Sequence, residues 1–224
     1  LNMTFDVYYL ILVVPALLLS MWAQVKVKST FENFSKEAVA RGMTGAQAAA
    51  YLLKANNITD VKIEKVAGNL TDHYDPSHKV LRLSEPVYGK ASIAAVGVAA
   101  HETGHAIQHA TKYGPLVLRS SLVPVANIGS AIGPTLAILG LVLSFGLLVD
   151  IGLLLFAGAV LFYVVTLPVE FNASRRAIEI LGRSGTMSQA ELKGVKKVLS
   201  AAAMTYVASA LSAIGNFVRL LLIS

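Results

Sequence analysis

Hydrophobic and polar positions fall along this chain in long blocks. Val7 to Gln24 is apolar but for small interruptions, with Tyr8, Tyr9 and Trp22 near its ends. That length is the lower limit for a helix spanning a bilayer, and aromatic residues favour the two interfaces. From Ser120 to Ser174 there is no Lys or Arg, and the two acidic residues are Asp150 and Glu170. This stretch predicts two further spans, Leu122 to Leu147 and Ile151 to Leu167, broken at Ser144-Phe145-Gly146. Val198 to Val218 predicts a last apolar helix, which either spans fully or packs within the cytoplasmic leaflet. Ser188 with Glu191 three residues on is a capping-box pattern ahead of it.

Between the first two spans the period shortens. Thr44 can cap a helix over Ala46 to Lys54, ended near Asn56-Asn57. Val61 to Val66 alternates like a half-buried strand, Gly68-Asn69 marks a turn, and Leu70 to Tyr74 and Val80 to Ser84 are further strand candidates. Ala91 to His109 then reads as one helix of small and apolar residues. The expected fold is mainly α: a polytopic membrane protein with about four transmembrane helices, a small cytoplasmic α+β segment and, over Ala91 to His109, a helix that carries His-Glu-x-x-His. The expected divisions are an anchor over 1–25, a cytoplasmic segment over 26–119 and a transmembrane hairpin over 120–168. A third-ligand helix and linker over 169–197 and an apolar helix over 198–224 complete them.

Composition agrees with the blocks: 55% of residues are hydrophobic and 14% charged, and the mean hydropathy is +0.63. These are membrane values. The net charge of +6 does not form one basic stripe. Its residues flank apolar segments, which points to a lipid bilayer as partner and away from nucleic acid. Lys26, Lys28, Lys36 and Arg41 follow the first span and nothing basic precedes it. Arg119 and Arg175-Arg176 bracket the hairpin, and Lys193, Lys196 and Lys197 precede the last helix. The positive-inside rule therefore sets segments 26–119 and 169–197 in the cytoplasm, and the hairpin turn near Asp150 and both termini outside. The residues before the first span carry Asp6, no Lys or Arg and no clear small-x-small site, so a retained anchor is expected over a cleaved signal peptide.

The chemistry sits in the alanine-rich helix, as His101-Glu102-x-x-His105. Histidines four apart lie one turn apart on one helix face, where both rings can reach one metal ion. Glu102, beside the first of them, can exchange a proton with the water that such an ion activates. His and Glu are costly in an apolar helix unless they are paired or bound. With no cysteine in the chain, thiolate ligands and disulfides are excluded. His73 and His78 fall in a turn-rich region and read as surface histidines. His109 is one more turn on, but about 12 Å of helical rise from His101 is too far to share an ion. It can line the cleft or lie on the helix surface.

A catalytic zinc needs a third protein ligand. Asp150, within Val149-Asp150-Ile151-Gly152, faintly resembles the Asp-Gly element of site-2-type intramembrane metalloproteases. About 25 helical residues beyond Arg119 carry the chain about 37 Å, however, which puts Asp150 at the far surface. Glu170 returns to the side where the motif lies, and position favours it as the ligand over an interfacial acid paired with Arg175 or Arg176.

The runs Leu70-Thr71-Asp72-His73-Tyr74-Asp75-Pro76, Arg82-Leu83-Ser84-Glu85 and Val98-Ala99-Ala100-His101-Glu102-x-Gly104-His105-Ala106-Ile107-Gln108 carry a family likeness. With Pro168-Val169-Glu170-Phe171-x-Ala173-Ser174-Arg175-Arg176-Ala177, they resemble the YugP-type bacterial neutral zinc metallopeptidases over nearly the whole chain. The resemblance implies a membrane-embedded zinc metallopeptidase. A fainter likeness joins the HtpX and Ste24 peptidases, whose Glu-x-x-Ala-Asp is matched here by Ser174 in place of the aspartate.

The expected function is peptide hydrolysis by zinc-activated water with Glu102 as general base, at the cytoplasmic face of the cell membrane. The substrate would be a protein or peptide associated with the membrane. His109, Arg175 and Tyr206 are candidate donors to the developing oxyanion, and Ser174 is a candidate partner of the metal histidines. An exposed edge of the small sheet could hold an extended peptide by strand addition, or the strands could only pack beneath the helix. A non-enzymatic scaffold stabilised by structural zinc is the alternative from another class. Glu102 argues against it, since a structural site needs no base beside its ligands.

Overall fold

The computed structural model describes residues 6–224. It is mainly helical, and four helices are long and apolar enough to cross a membrane. A π-helical turn, Tyr9–Val13, runs into α1 (Val14–Ser35), and the other three are α5 (Gly114–Val142), α6 (Gly146–Ser184) and α7 (Gln189–Ile223). Each extends beyond its apolar run on at least one side, but α5 ends at Val142, short of the expected Leu147, because the turn at Ser144 intervenes. Where Lys26 and Lys28, or Glu179 and Arg183, follow an apolar stretch, they are good helix formers and supply no stop signal. The chain forms two compact units. One takes residues up to 24, 114–168 and 204–224; the other takes 25–113 and 169–203.

The first unit is apolar on its outside. Leu10, Ile11, Leu18, Met21, Val142, Leu147 and Leu154 are all exposed, as lipid-facing positions are. α5 and α6 meet at a turn where Ser144 adopts φ +53° and the Phe145 N–H donates to the Gly140 carbonyl at 2.8 Å, an αL helix ending. The two helices pack closely. A Cβ on Gly133 would lie 2.8 Å from the Phe156 nitrogen, so only glycine lets the backbones approach that far. Asp6 accepts from the Tyr9 N–H at 2.8 Å and from Arg219 Nη2 at 2.8 Å. The Arg219 guanidinium also lies 5.2 Å from the centre of the Tyr9 ring. An arginine near the end of an apolar helix can snorkel to the membrane interface. Instead Arg219 is buried, because a carboxylate and a ring face are within its reach.

The second unit holds the motif. Thr44 caps α2 (Gly45–Ala55) reciprocally: its Oγ1 accepts from Gln47 N, and Gln47 Oε1 accepts from Thr44 N. Three strands follow, β1 (Lys62–Val66), β2 (His73–Asp75) and β3 (Val80–Ser84). Their order is β1-β3-β2, with β1 parallel and β2 antiparallel to β3. Strand β2 begins later than the sequence predicts. Leu70 takes φ +57°, and Asp72 turns its carboxylate onto Ser84, accepting from the Ser84 N–H at 2.6 Å and from its hydroxyl. A side chain thus ends the β3 ladder where a longer β2 would have paired.

After the short helix α3 (Glu85–Tyr88) comes α4 (Ile93–Ala110), capped by Ser92 Oγ accepting from Ala95 N at 3.0 Å. Its alanines are buried on several sides. Ala94, Ala95 and Ala99 pack with Leu53, Leu81 and Leu83, while Val96 and Ala100 pack with Leu52, Ala177 and Val195. Small residues all round let α4 sit in the centre of this unit, with neighbours on every side.

Candidate metal centre

α4 and the C-terminal part of α6 touch through Gly104, where a Cβ would lie 2.6 Å from the Ala173 carbonyl oxygen. That contact brings Glu170 alongside the motif. Glu170 Oε2 stands 2.9 Å from His101 Nε2 and 3.3 Å from His105 Nε2. The two rings are perpendicular, with centres 4.8 Å apart. His105 and Glu170 are buried and His101 nearly so. One donor atom from each residue lies within 4.8 Å of the others, and among the described residues this is the only such cluster.

The donor set suits zinc. Two imidazoles and one carboxylate, each at about 2.1 Å from a four-coordinate ion, would stand about 3.4 Å from one another and leave one position open. Burial adds a second argument: a carboxylate this deep needs cationic or donor partners. A zinc ion held by His101, His105 and Glu170 would supply that partner.

The other nitrogens of both rings are engaged. His101 Nδ1 lies 2.9 Å from Ser174 Oγ, and His105 Nδ1 lies 2.9 Å from Gln108 Oε1. Ser174, the departure from the Glu-x-x-Ala-Asp pattern, therefore still meets a motif histidine. Gln108 escapes sequence reasoning, yet its spacing is a signal: it is three residues from His105, on the same helix face.

The remaining candidates are dispersed. His109 is half-buried, with Nδ1 2.7 Å from the Tyr74 hydroxyl. Burial, reinforced by the charges of Asp60 and Asp75, pushes the Tyr74 phenol up to about 12, so it stays protonated at neutral pH. Arg175 is exposed and lines a groove of about 460 Å³ with Phe171, Ser174, Ile178, Glu179 and Lys196. Tyr206 belongs to the other unit. His73 and His78 are exposed; His78 pairs with Asp75, whose carboxyl is held well below the usual range first by that histidine and then by Arg82. Asp150 is exposed and also belongs to the other unit, roughly five and a half turns before Glu170 on α6. It takes no part in the cluster.

A helix-borne His-Glu-x-x-His, a carboxylate from a second helix and four bilayer-length helices define the class of membrane-associated zinc peptidases. Comparison with known proteins agrees: residues 9–224 match the family model described as "Putative neutral zinc metallopeptidase", and the chain belongs to that family. It is 50% identical over 215 residues, covering 96% of each chain, to a Bacillus subtilis (strain 168) protein named "Putative membrane protease YugP". No solved structure matches it.

Proposed function

We propose that the chain is a membrane-embedded zinc metalloendopeptidase that cleaves membrane-associated or unfolded polypeptides at the cytoplasmic face of the cell membrane. One observation carries the reading: a single oxygen of Glu170 meets Nε2 of both motif histidines, at 2.9 and 3.3 Å. In this reading His101, His105 and Glu170 hold the ion and Glu102 is the general base. Bound zinc supplies Lewis acidity that makes water a nucleophile near neutral pH. Glu102 takes the proton as water attacks the peptide carbonyl, then delivers it to the leaving amine. The carbonyl oxygen gains charge in that step and needs a donor. His109 is one candidate: its Nδ1 is 2.7 Å from the Tyr74 hydroxyl, and a Tyr74 O–H donating there would place the ring proton on Nε2. Arg175 and Tyr206 are the others.

Glu170 as third ligand makes this a peptidase of the cytoplasmic surface, unlike the site-2-type arrangement through Asp150. Lys26, Lys28, Lys36, Arg119, Arg175 and Arg176 support cytoplasmic segments over 26–119 and 169–197, with the hairpin over 120–168 crossing between them. The relative's printed description as a membrane protease supports the same assignment. A panel of quenched peptides and unfolded proteins, with and without chelator, tests the activity. Comparative proteomics of membranes expressing wild type or Glu102→Gln tests the substrate class. The proposal expects membrane-associated polypeptides to accumulate with the variant. Chelator-insensitive turnover would contradict it, as would identical proteomes together with an inactive panel.

A further inference from the structure

Gln108 is completely buried at the centre of a directed set of hydrogen bonds. Its Nε2 donates to the Val169 carbonyl oxygen at 2.9 Å and to Asn172 Oδ1 at 2.9 Å. Arg176 Nε donates to the same Oδ1 at 2.7 Å, and the Arg176 guanidinium lies over the Tyr113 ring, 5.4 Å from its centre. The outer members of this set have no choice of role. A main-chain carbonyl only accepts and a guanidinium only donates. Arg176 therefore fixes Asn172 with Oδ1 inward, and Val169 fixes Gln108 with Nε2 toward α6. The Gln108 Oε1 must then face His105, so His105 Nδ1 carries a proton and donates. With Nδ1 committed to the amide, His105 presents Nε2 to Glu170 Oε2, 3.3 Å away.

His101 has no comparable arrangement. Its Nδ1 partner is the Ser174 hydroxyl, which can donate or accept and so imposes neither tautomer.

We propose that Gln108, Asn172 and Arg176 form a positioning chain that fixes which nitrogen His105 presents to zinc, and that His101 has no such lock. The inference rests on the reading of His105 as a zinc ligand. The chain also bridges α4 and α6, the two helices that supply the three proposed ligands. Its loss would both free the His105 ring and loosen the contact that delivers Glu170.

The test is zinc affinity of the full-length protein in detergent, by chelator competition, with the visible spectrum of the cobalt-substituted form alongside. Gln108→Met keeps the side-chain length and removes the bonds, and should weaken zinc about 10- to 100-fold and shift the cobalt bands. Asn172→Leu should lose affinity in the same direction. Asn172→Asp keeps the one acceptor oxygen used by both donors and should recover most of that loss, which a merely space-filling role would not produce. Ser174→Ala should cost less than Gln108→Met. Should Gln108→Met not fold, the Asn172 pair decides alone. Wild-type affinity and cobalt bands in Asn172→Leu, or equal losses in Asn172→Leu and Asn172→Asp, overturn the proposal. His105→Ala separates the two readings. If it binds zinc as tightly as wild type, the ligand assignment itself is wrong. If it loses zinc while Asn172→Leu and Gln108→Met keep it, only the positioning chain fails.

Discussion

Glu170 Oε2 lies 2.9 Å from His101 Nε2, although 69 positions separate the two residues in the chain. The approach depends on a glycine. Gly104 lets α4 lie against the Ala173 carbonyl, one turn beyond Glu170 on α6. A short motif on one helix thereby acquires a carboxylate from another.

The two candidate carboxylates should separate on metal retention. Glu170→Ala is expected to lose zinc during dialysis against a weak chelator, as His101→Ala and His105→Ala would. Asp150→Ala should keep it. Metal analysis of the purified variants checks this, and zinc lost only from Asp150→Ala would favour the site-2-type arrangement.

Gly104→Ala should be costly for so small a change. The added Cβ would sit 2.6 Å from a backbone oxygen, so the two helices must part. Overpacking of this kind costs about 1–3 kcal/mol, and here it should also lower zinc affinity. Thermal unfolding and chelator competition on the same preparation measure both. A normal melting temperature with normal zinc affinity would show that the contact is dispensable.

The pair at His101 and His105 is readable from spacing alone, because helical period and metal-ligand reach coincide at four residues. Glu170 is readable less directly, from where basic residues put each end of the hairpin. Gln108 and Asn172 are not, because amides announce no chemistry until a partner is in view. The same limit applies to Tyr74, which looks like a strand residue and proves to hold His109. The four apolar blocks and the capping boxes at Thr44 and Ser188 carry strong local signals: a long helix overlies each block, and the boxes stand just ahead of α2 and α7. The boundary of β2 and the fate of Arg219 depend on carboxylates distant in sequence, Asp72 on Ser84 and Asp6 on Arg219. No local pattern encodes those pairings.

Arg219→Met should lower the melting temperature of the detergent-solubilised protein by leaving Asp6 without its cation. Asp6→Asn should do so less, since an amide oxygen can still accept from the Tyr9 N–H. Combining Arg219→Met with Asp6→Leu should recover part of the loss, because removing both partners leaves no stranded charge. Additive losses in the double variant would show that the pair contributes nothing as a pair.

Reporter fusions test the proposed orientation. Fusions after Lys36 and after Arg183 should report a cytoplasmic position, and one at Asp150 an external position. A cytoplasmic signal at Asp150 would overturn the hairpin and with it the assignment of the site to the cytoplasmic face.

In the proposed mechanism, zinc held by this cluster acts through Glu102 as a base. Zinc stoichiometry paired with peptide hydrolysis in Glu102→Gln tests this. The amide preserves shape but cannot accept the proton, so near-stoichiometric zinc should remain while turnover falls by about 10²- to 10⁴-fold. Full turnover in zinc-loaded Glu102→Gln would contradict the mechanism.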